Sequence, residues 1–139
     1  MVMPIPPDVL RALPEYCTSE AEWQAALVLV LCRVLPVRLF RQIPGKHKVQ
    51  GGGWMRGAPV GAADLTGWVV GPGTRVEIEC KWGDGPTSKA QRVWAREAKA
   101  AGCVVLSLRG RSELPTAVQV LLAADELGAL LRDRGVDCG

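Results

Sequence analysis

Residues 61–81 constrain the fold of this chain more than any other stretch. Two runs of strand-forming residues, 65–70 and 75–81, are separated by Gly71-Pro72-Gly73. Two short apolar runs on either side of a glycine-rich turn are typical of a β-hairpin. The sequence therefore predicts an antiparallel pair of strands near the middle of the chain.

One face of the second strand is polar. Alternation places Glu77, Glu79 and Lys81 on that face, and Asp64, at the mouth of the first strand, is expected at the same edge. Carboxylates beside an ammonium have the chemistry to hold a hard divalent cation and position a water. The alternative is a solvated sheet face, because Glu-x-Lys alone recurs by chance.

These residues and their neighbours resemble the VRR-NUC domain of the PD-(D/E)xK nuclease superfamily, in its stand-alone phage or bacterial type. The matching stretches are, in chain order, Ser19-Glu20, Gly61-Ala62-Ala63-Asp64-Leu65, Glu79-Cys80-Lys81, Ser88-Lys89-Ala90-Gln91 with Trp94, and Ala101-Gly102. Ala63 departs from the family, which often has proline there. Because that proline shapes the backbone and supplies no ligand, the departure removes no chemistry.

The resemblance implies an α/β fold with a restriction-endonuclease-like core, in which a small mixed central sheet is flanked by helices. It implies a metal-dependent DNA endonuclease, selective for structures such as junctions or flaps, with catalytic residues Glu20, Asp64, Glu79, Lys81 and Gln91. Mg²⁺ or Mn²⁺ would be held by Glu20, Asp64, Glu79 and the Cys80 carbonyl. Lys81 would orient the attacking water and balance the anionic transition state.

Two of these residues also have ordinary structural uses. An acid such as Glu20 at a helix start compensates the helix dipole. Gln91, at the third position after Ser88, caps the start of its own helix. The catalytic roles of both therefore come from the resemblance.

The length and composition indicate one soluble domain. The 139 residues are divided into a proline-rich N-terminal arm, 1–17, and a single nuclease-like domain, 18–139. The longest apolar run, 25–32, is too short to span a membrane, and the start does not resemble a signal peptide. Five widely spaced cysteines without a Cys-x-x-Cys pair indicate neither zinc nor disulfides. We expect a reducing, cytoplasmic setting.

Positive charge is concentrated before Asp64, although the net charge is only +3. This distribution favours a polyanionic partner, with solubility as the alternative use of the charge. The glycine-rich part of this region lacks the Gly-Lys-Ser/Thr ending of a Walker A loop. The predicted nucleic-acid-binding residues are Arg38, Arg41, Lys46, His47, Lys48 and Arg56, joined by Lys89 and Arg92 at the later helix start. Trp54 is expected either to stack on a base or to pack under its own loop.

The remaining elements follow from periodicity and from capping residues. Helices are predicted from Ser19 to about residue 35 and from Ser88 to about residue 101, each opened by a capping box. Other expectations are a strand at 37–43, a loop at 44–63, a strand at 103–108, one bent helix or two short ones within 114–134, and at most one helical turn at 8–13 in an otherwise extended arm.

A homodimer is the expected assembly, because the resemblance implies it: stand-alone members of the family are typically dimeric. A twofold axis would also hold two active sites at a fixed separation. The candidate contacts are residues 1–14 and 114–131, although the second segment has the equal alternative of closing the core of one subunit.

Two other functions are open: a nucleic-acid-binding module without turnover, and a structural or assembly factor. Metal-dependent cleavage would distinguish a nuclease from both of these. Salt-dependent binding of nucleic acid would distinguish the binding module from the assembly factor.

Overall fold

The computed structural model describes residues 4–43 and 45–139. Its helices are α1 (Pro7–Ala12), α2 (Glu20–Val34), α3 (Lys89–Ala100) and α4 (Thr116–Asp133). Its strands are β1 (Val37–Arg41), β2 (Lys46–Lys48), β3 (Trp54–Arg56), β4 (Leu65–Val69), β5 (Arg75–Trp82) and β6 (Val104–Gly110). Expectations for residues 1–3, for Pro44 and for the side chain of His47 lie outside the described residues.

A four-stranded mixed sheet with the order β1-β4-β5-β6 forms the centre of the molecule. The β4–β5 hairpin is antiparallel, as predicted, and Gly71 and Gly73 have positive φ angles in its turn. β6 pairs parallel to β5 because α3 carries the chain back across the sheet. The predicted small mixed sheet flanked by helices is confirmed.

Helices cover the two faces of the sheet unequally. α2 and α4 pack on one face, and their apolar side chains join those of the strands in a single buried core. α3 lies on the other face, against β5 and β6, and none of its own residues is buried. Within the described residues, the outer face of β1 and β4 therefore has no helix over it.

The ends of the helices mostly follow their predicted caps. Ser88 and Gln91 form a complete capping box at the start of α3. At the start of α2, Ser19 Oγ accepts a hydrogen bond from the Glu22 backbone N–H, as predicted. The Glu22 carboxylate, however, accepts from the backbone N–H of Thr18 at 2.7 Å, so the reciprocal half of that box was wrong.

The segment 44–63 was predicted as loop, and this was wrong in part, because β2 and β3 form an antiparallel hairpin. Three consecutive glycines with positive φ, Gly51–Gly53, lie in the connection between the two strands. β3 is exposed along its whole length. Without a buried face the sequence shows no alternation, and the signal for a strand is absent.

Smaller differences concern the ends of elements and the N-terminal segment. β1 ends at Arg41, two residues earlier than predicted, and β6 extends to Gly110. The last helical segment is one helix, α4, whose buried side closes the core. In the N-terminal segment, α1 spans six residues, longer than the single turn expected, and Val9 and Cys17 belong to the same buried core. None of the helices in the described part of the chain is long and apolar enough to cross a membrane.

Candidate active site

Asp64 lies where the hairpin begins, directly before β4. Because Leu65 pairs with Ile78, the next pair along the ladder brings Asp64 opposite Glu79. Asp64 Oδ2 accepts a hydrogen bond from the Cys80 backbone N–H at 2.7 Å. The carboxylate is thereby fixed against β5, and its other oxygen is left for a different partner.

Gln91 joins the two predicted catalytic residues of β5. Its Nε2 donates to Glu79 Oε1 at 2.9 Å, and its Oε1 accepts from Lys81 Nζ at 2.5 Å. The same Oε1 accepts from the backbone N–H of Ser88 at 2.9 Å, which is its capping role. One amide therefore caps α3 and orients a carboxylate and an ammonium.

Lys81 is 7% exposed and is held at two points. Besides Gln91, it donates to the Pro86 carbonyl oxygen at 2.9 Å. Two fixed acceptors restrict a side chain that is otherwise long and mobile. Its ammonium is thus positioned beside the carboxylates before any substrate arrives.

The pKa of the Glu79 carboxyl lies well above that of an ordinary glutamate. Burial raises its pKa to about 8, and a hydrogen bond and repulsion from Asp64 act in the same direction, while Lys81 opposes them. Two carboxyls in hydrogen-bond contact cannot both carry full charge unless a cation or a proton lies between them. The Glu79 carboxyl therefore retains its proton to a higher pH than an ordinary glutamate.

Glu20, in the first turn of α2, lies within electrostatic range of this pair. Its pKa is raised, first by partial burial and then by the Asp64 carboxylate, while Lys81 and Arg41 act in the opposite direction. The structure thus brings together four of the five residues predicted as catalytic, Asp64, Glu79, Lys81 and Gln91, and places Glu20 within electrostatic range of them. Within residues 4–43 and 45–139, however, no three Asp, Glu, His or Cys side chains form a ready-made metal cage.

Glu77 shares the outer face of β5, as predicted, but belongs to a different environment. It is 1% exposed, and its Oε1 lies 3.1 Å from Arg75 Nη2. Its other carboxylate oxygen and the indole Nε1 of Trp94 are buried without a hydrogen-bond partner among the described atoms. Glu77 is therefore held apart from the Asp64–Glu79 pair.

Gly61 allows the loop before Asp64 to pack against α3. Its φ is +91°, and a Cβ added there would lie 2.5 Å from the Ala90 carbonyl oxygen in the first turn of α3. The backbone of the loop thus contacts the helix that carries Gln91. Only glycine permits both the left-handed φ and the close approach.

We expect Gly61→Ala to lower the free energy of unfolding by about 3 kcal/mol, because backbone strain and a clash act together. Urea denaturation followed by circular dichroism measures this loss. Gly71→Ala is the matched control, since Gly71 has φ +103° and nothing lies within 4 Å of its added Cβ. Equal losses in the two variants would contradict the proposed contact with α3.

The predicted nucleic-acid-binding residues whose side chains are described all lie on the surface. Each of the following is exposed: Arg38 and Arg41 on β1, Lys46 and Lys48 on β2, Arg56 on β3, and Lys89 and Arg92 at the start of α3. Arg92 also donates to the Thr87 carbonyl oxygen at 2.7 Å. Trp54, at 69% exposure, does not pack under its own loop.

Two features were absent from the prediction. The Pro86 carbonyl that holds Lys81 carries no sequence signal, because any residue supplies a carbonyl. Phe40 and Trp68 are exposed on the uncovered face of β1 and β4. Alternation within each strand places both aromatic side chains on the face that points away from the core, and this pattern was present in the sequence.

Neither models of known protein families nor the curated proteins yield a match to this chain. The function is therefore inferred from the side chains and from their geometry.

Proposed function

We propose that this chain is a metal-dependent nuclease of the VRR-NUC type that hydrolyses phosphodiester bonds in DNA. The observation that carries the proposal is the hydrogen-bonded network of Asp64, Glu79, Gln91 and Lys81 at one edge of the sheet. A buried carboxyl with a raised pKa, held between a second carboxylate and a fixed ammonium, is typical of functional sites.

The donor set fits Mg²⁺ or Mn²⁺. Asp64, Glu79, Glu20 and the Cys80 carbonyl are hard oxygen donors, and the pKa values of Glu79 and Glu20 are raised first by burial and then by neighbouring carboxylates, whose charge a cation would offset. Such a cation, when bound, supplies Lewis acidity to a phosphodiester oxygen and to a water. The residues of the chain must then supply orientation and charge balance.

Lys81 and Gln91 perform these tasks in the proposed reaction. The Lys81 ammonium donates to the phosphate as its negative charge grows, and the fixed acceptors Gln91 and Pro86 keep it in place. Gln91 also orients Glu79 by donating to Oε1. Glu79, whose pKa is raised, would have to lose its proton for a cation to bind there.

End-labelled DNA structures test this function directly. A panel of single strands, duplexes, flaps and four-way junctions is incubated with the chain in Mn²⁺ or in EDTA. We expect cleavage of at least one structure in Mn²⁺ and none in EDTA. Binding without cleavage of any structure would instead favour the second candidate, a DNA-binding module without turnover. The lack of a ready-made three-side-chain cage among the described residues is the observation that favours that candidate.

The exposed cations of the β2–β3 hairpin are proposed to contact DNA phosphates. Replacing Lys46, Lys48 and Arg56 by alanine should weaken binding to all sequences, and reduce the slope of log K against log salt by about one for each phosphate that is no longer neutralised. Fluorescence anisotropy across a salt series measures this slope. Lys99→Ala, near the far end of α3, is the control, and an unchanged slope in the triple variant would exclude the hairpin from the interface.

We also propose a homodimer in the reducing cytoplasm of a bacterial or phage-infected cell. α4 buries one side in the core but leaves Val118 and Leu122 exposed one turn apart, next to exposed Leu114. The cysteines of the described chain are all free thiols, as a reducing compartment requires. Light scattering at micromolar concentration should report twice the chain mass, and a monomer that still cuts both strands of a duplex would refute the dimer.

A further inference from the structure

The uncovered face of the sheet carries two exposed aromatic side chains, Phe40 on β1 and Trp68 on β4, at 52% and 48% exposure. The register pairs Arg38 with Trp68 and Phe40 with Thr66. Phe40 and Trp68 are therefore diagonal neighbours on one face, close enough for their side chains to form a continuous surface. Trp68 also pairs with Arg75 of β5, so it has an arginine on each side.

A groove of about 350 Å³ follows this face. It is lined by Phe40, Gln42, Thr66, Gly67, Trp68, Gly73 and Arg75. α3 does not reach it, because that helix packs on β5 and β6. The groove is thus an open surface beside the candidate active site.

The exposed charge on this surface is positive. β1 and β4 contain no acidic residue, and Arg38 is exposed on the same face. The acid that β5 adds here, Glu77, is buried and paired with Arg75. Planar aromatic faces framed by guanidinium groups complement a ligand that has both flat apolar rings and negative charge.

We propose that this surface, the aromatic platform (Arg38, Phe40, Trp68 and Arg75), binds single-stranded nucleic acid by stacking unpaired bases. The inference rests on the proposed nuclease function and specifies its substrate class. Stacking on a protein aromatic needs an exposed base face, which a duplex hides within its own stack.

The position of the platform relative to the site suits this role. Trp68 lies four residues beyond Asp64 along the same strand direction, a distance of about 13 Å. This span equals about four nucleotides at the stacked spacing of one strand. A strand with its unpaired bases on Phe40 and Trp68 therefore brings a phosphate to the Asp64–Glu79 pair a few nucleotides away.

Binding in EDTA separates the platform from catalysis. Anisotropy compares a labelled oligothymidylate with an abasic strand of the same length, which has the phosphates but no bases. The wild type should bind oligothymidylate about tenfold more tightly, a preference of the size expected for stacking. Trp68→Leu should reduce the preference severalfold, whereas Trp68→Phe, which keeps an aromatic face, should retain most of it.

Two further variants keep the test decisive. Arg38→Ala should weaken binding of both strands equally, since a phosphate contact does not distinguish them. Phe40→Leu replaces Trp68→Leu if the latter fails to fold by circular dichroism, and it should also reduce the preference. Equal affinity of the wild type for the two strands, or an unchanged preference in both leucine variants, would overturn the proposal.

Other outcomes identify a different occupant or a different failure. If the leucine variants change the mass by light scattering and leave the preference intact, the face is an interface between copies and the platform is refuted. A preference for bases without Mn²⁺-dependent cleavage would support the platform and refute the nuclease. Cleavage without any preference for bases would do the reverse.

Discussion

Glu79→Gln is expected to remove divalent-metal binding at the site and DNA cleavage together. The amide keeps the shape of the side chain but lacks the anionic oxygen that a hard cation requires. Its oxygen can still accept the hydrogen bond from Gln91 Nε2, so the network around it should survive. Isothermal titration with Mn²⁺ measures the binding, and a labelled DNA strand reports the cleavage.

The same variant should alter how stability depends on pH. Because the pKa of Glu79 is raised to about 8 in the folded state, its stabilising contribution is present at low pH and is lost as pH rises towards that value. Glu79→Gln removes this titration. We therefore expect the melting temperature of the variant, relative to wild type, to increase between about pH 5 and about pH 9.

Proton release on Mn²⁺ binding tests the same assignment in the wild type. Mn²⁺ must displace the proton that Glu79 retains, so the affinity for Mn²⁺ should rise with pH up to about 8. Titrations in two buffers of different ionisation enthalpy count the protons released. An unchanged Mn²⁺ affinity in Glu79→Gln, with no proton release in the wild type, would contradict the metal assignment.

Lys81→Ala is expected to reduce cleavage about 10²-fold to 10³-fold while Mn²⁺ binding persists. The ammonium acts on the phosphate and not on the ion, and loss of one fixed donor to a developing charge has an effect of this size. Single-turnover rates measure the loss. The affinity for DNA should change much less than the rate, because exposed cations elsewhere supply most phosphate contacts.

Lys99→Ala is the matched control for Lys81→Ala, because it removes an exposed ammonium from the same helix that carries Gln91 but near its other end. We expect its rate to equal that of the wild type. A turnover of Lys81→Ala close to the control value would make Lys81 a structural residue that holds the 83–88 turn through Pro86.

The central sheet was predictable from sequence because its strands place apolar residues on the face that α2 and α4 cover. Alternation in β5 separated Glu79 and Lys81 from the apolar side, and glycines marked the hairpin turn. Ser88 and Gln91 predicted the start of α3 because their side chains form hydrogen bonds with free backbone groups at a helix start. These are local signals, which one segment carries by itself.

Features that depend on contacts between segments were not predictable. The β2–β3 hairpin has no buried face to set a period. The two bonds of Gln91 to β5 depend on how α3 lies on the sheet. Alternation places Phe40 and Trp68 on the face away from the core, but their exposure depends on which strands α3 leaves uncovered, and no single strand contains that information.

Wild type and Asp64→Asn, purified identically and mixed with one labelled DNA substrate in Mn²⁺, test the central claim most directly. Asp64 accepts from the Cys80 backbone N–H through Oδ2, and an asparagine oxygen can keep that bond while the charge is lost. We expect strand cleavage by the wild type, its loss in EDTA, and none above background by a folded Asp64→Asn. Equal cleavage by the two proteins would assign the activity to a contaminant or to another site, and would contradict the proposed nuclease centre.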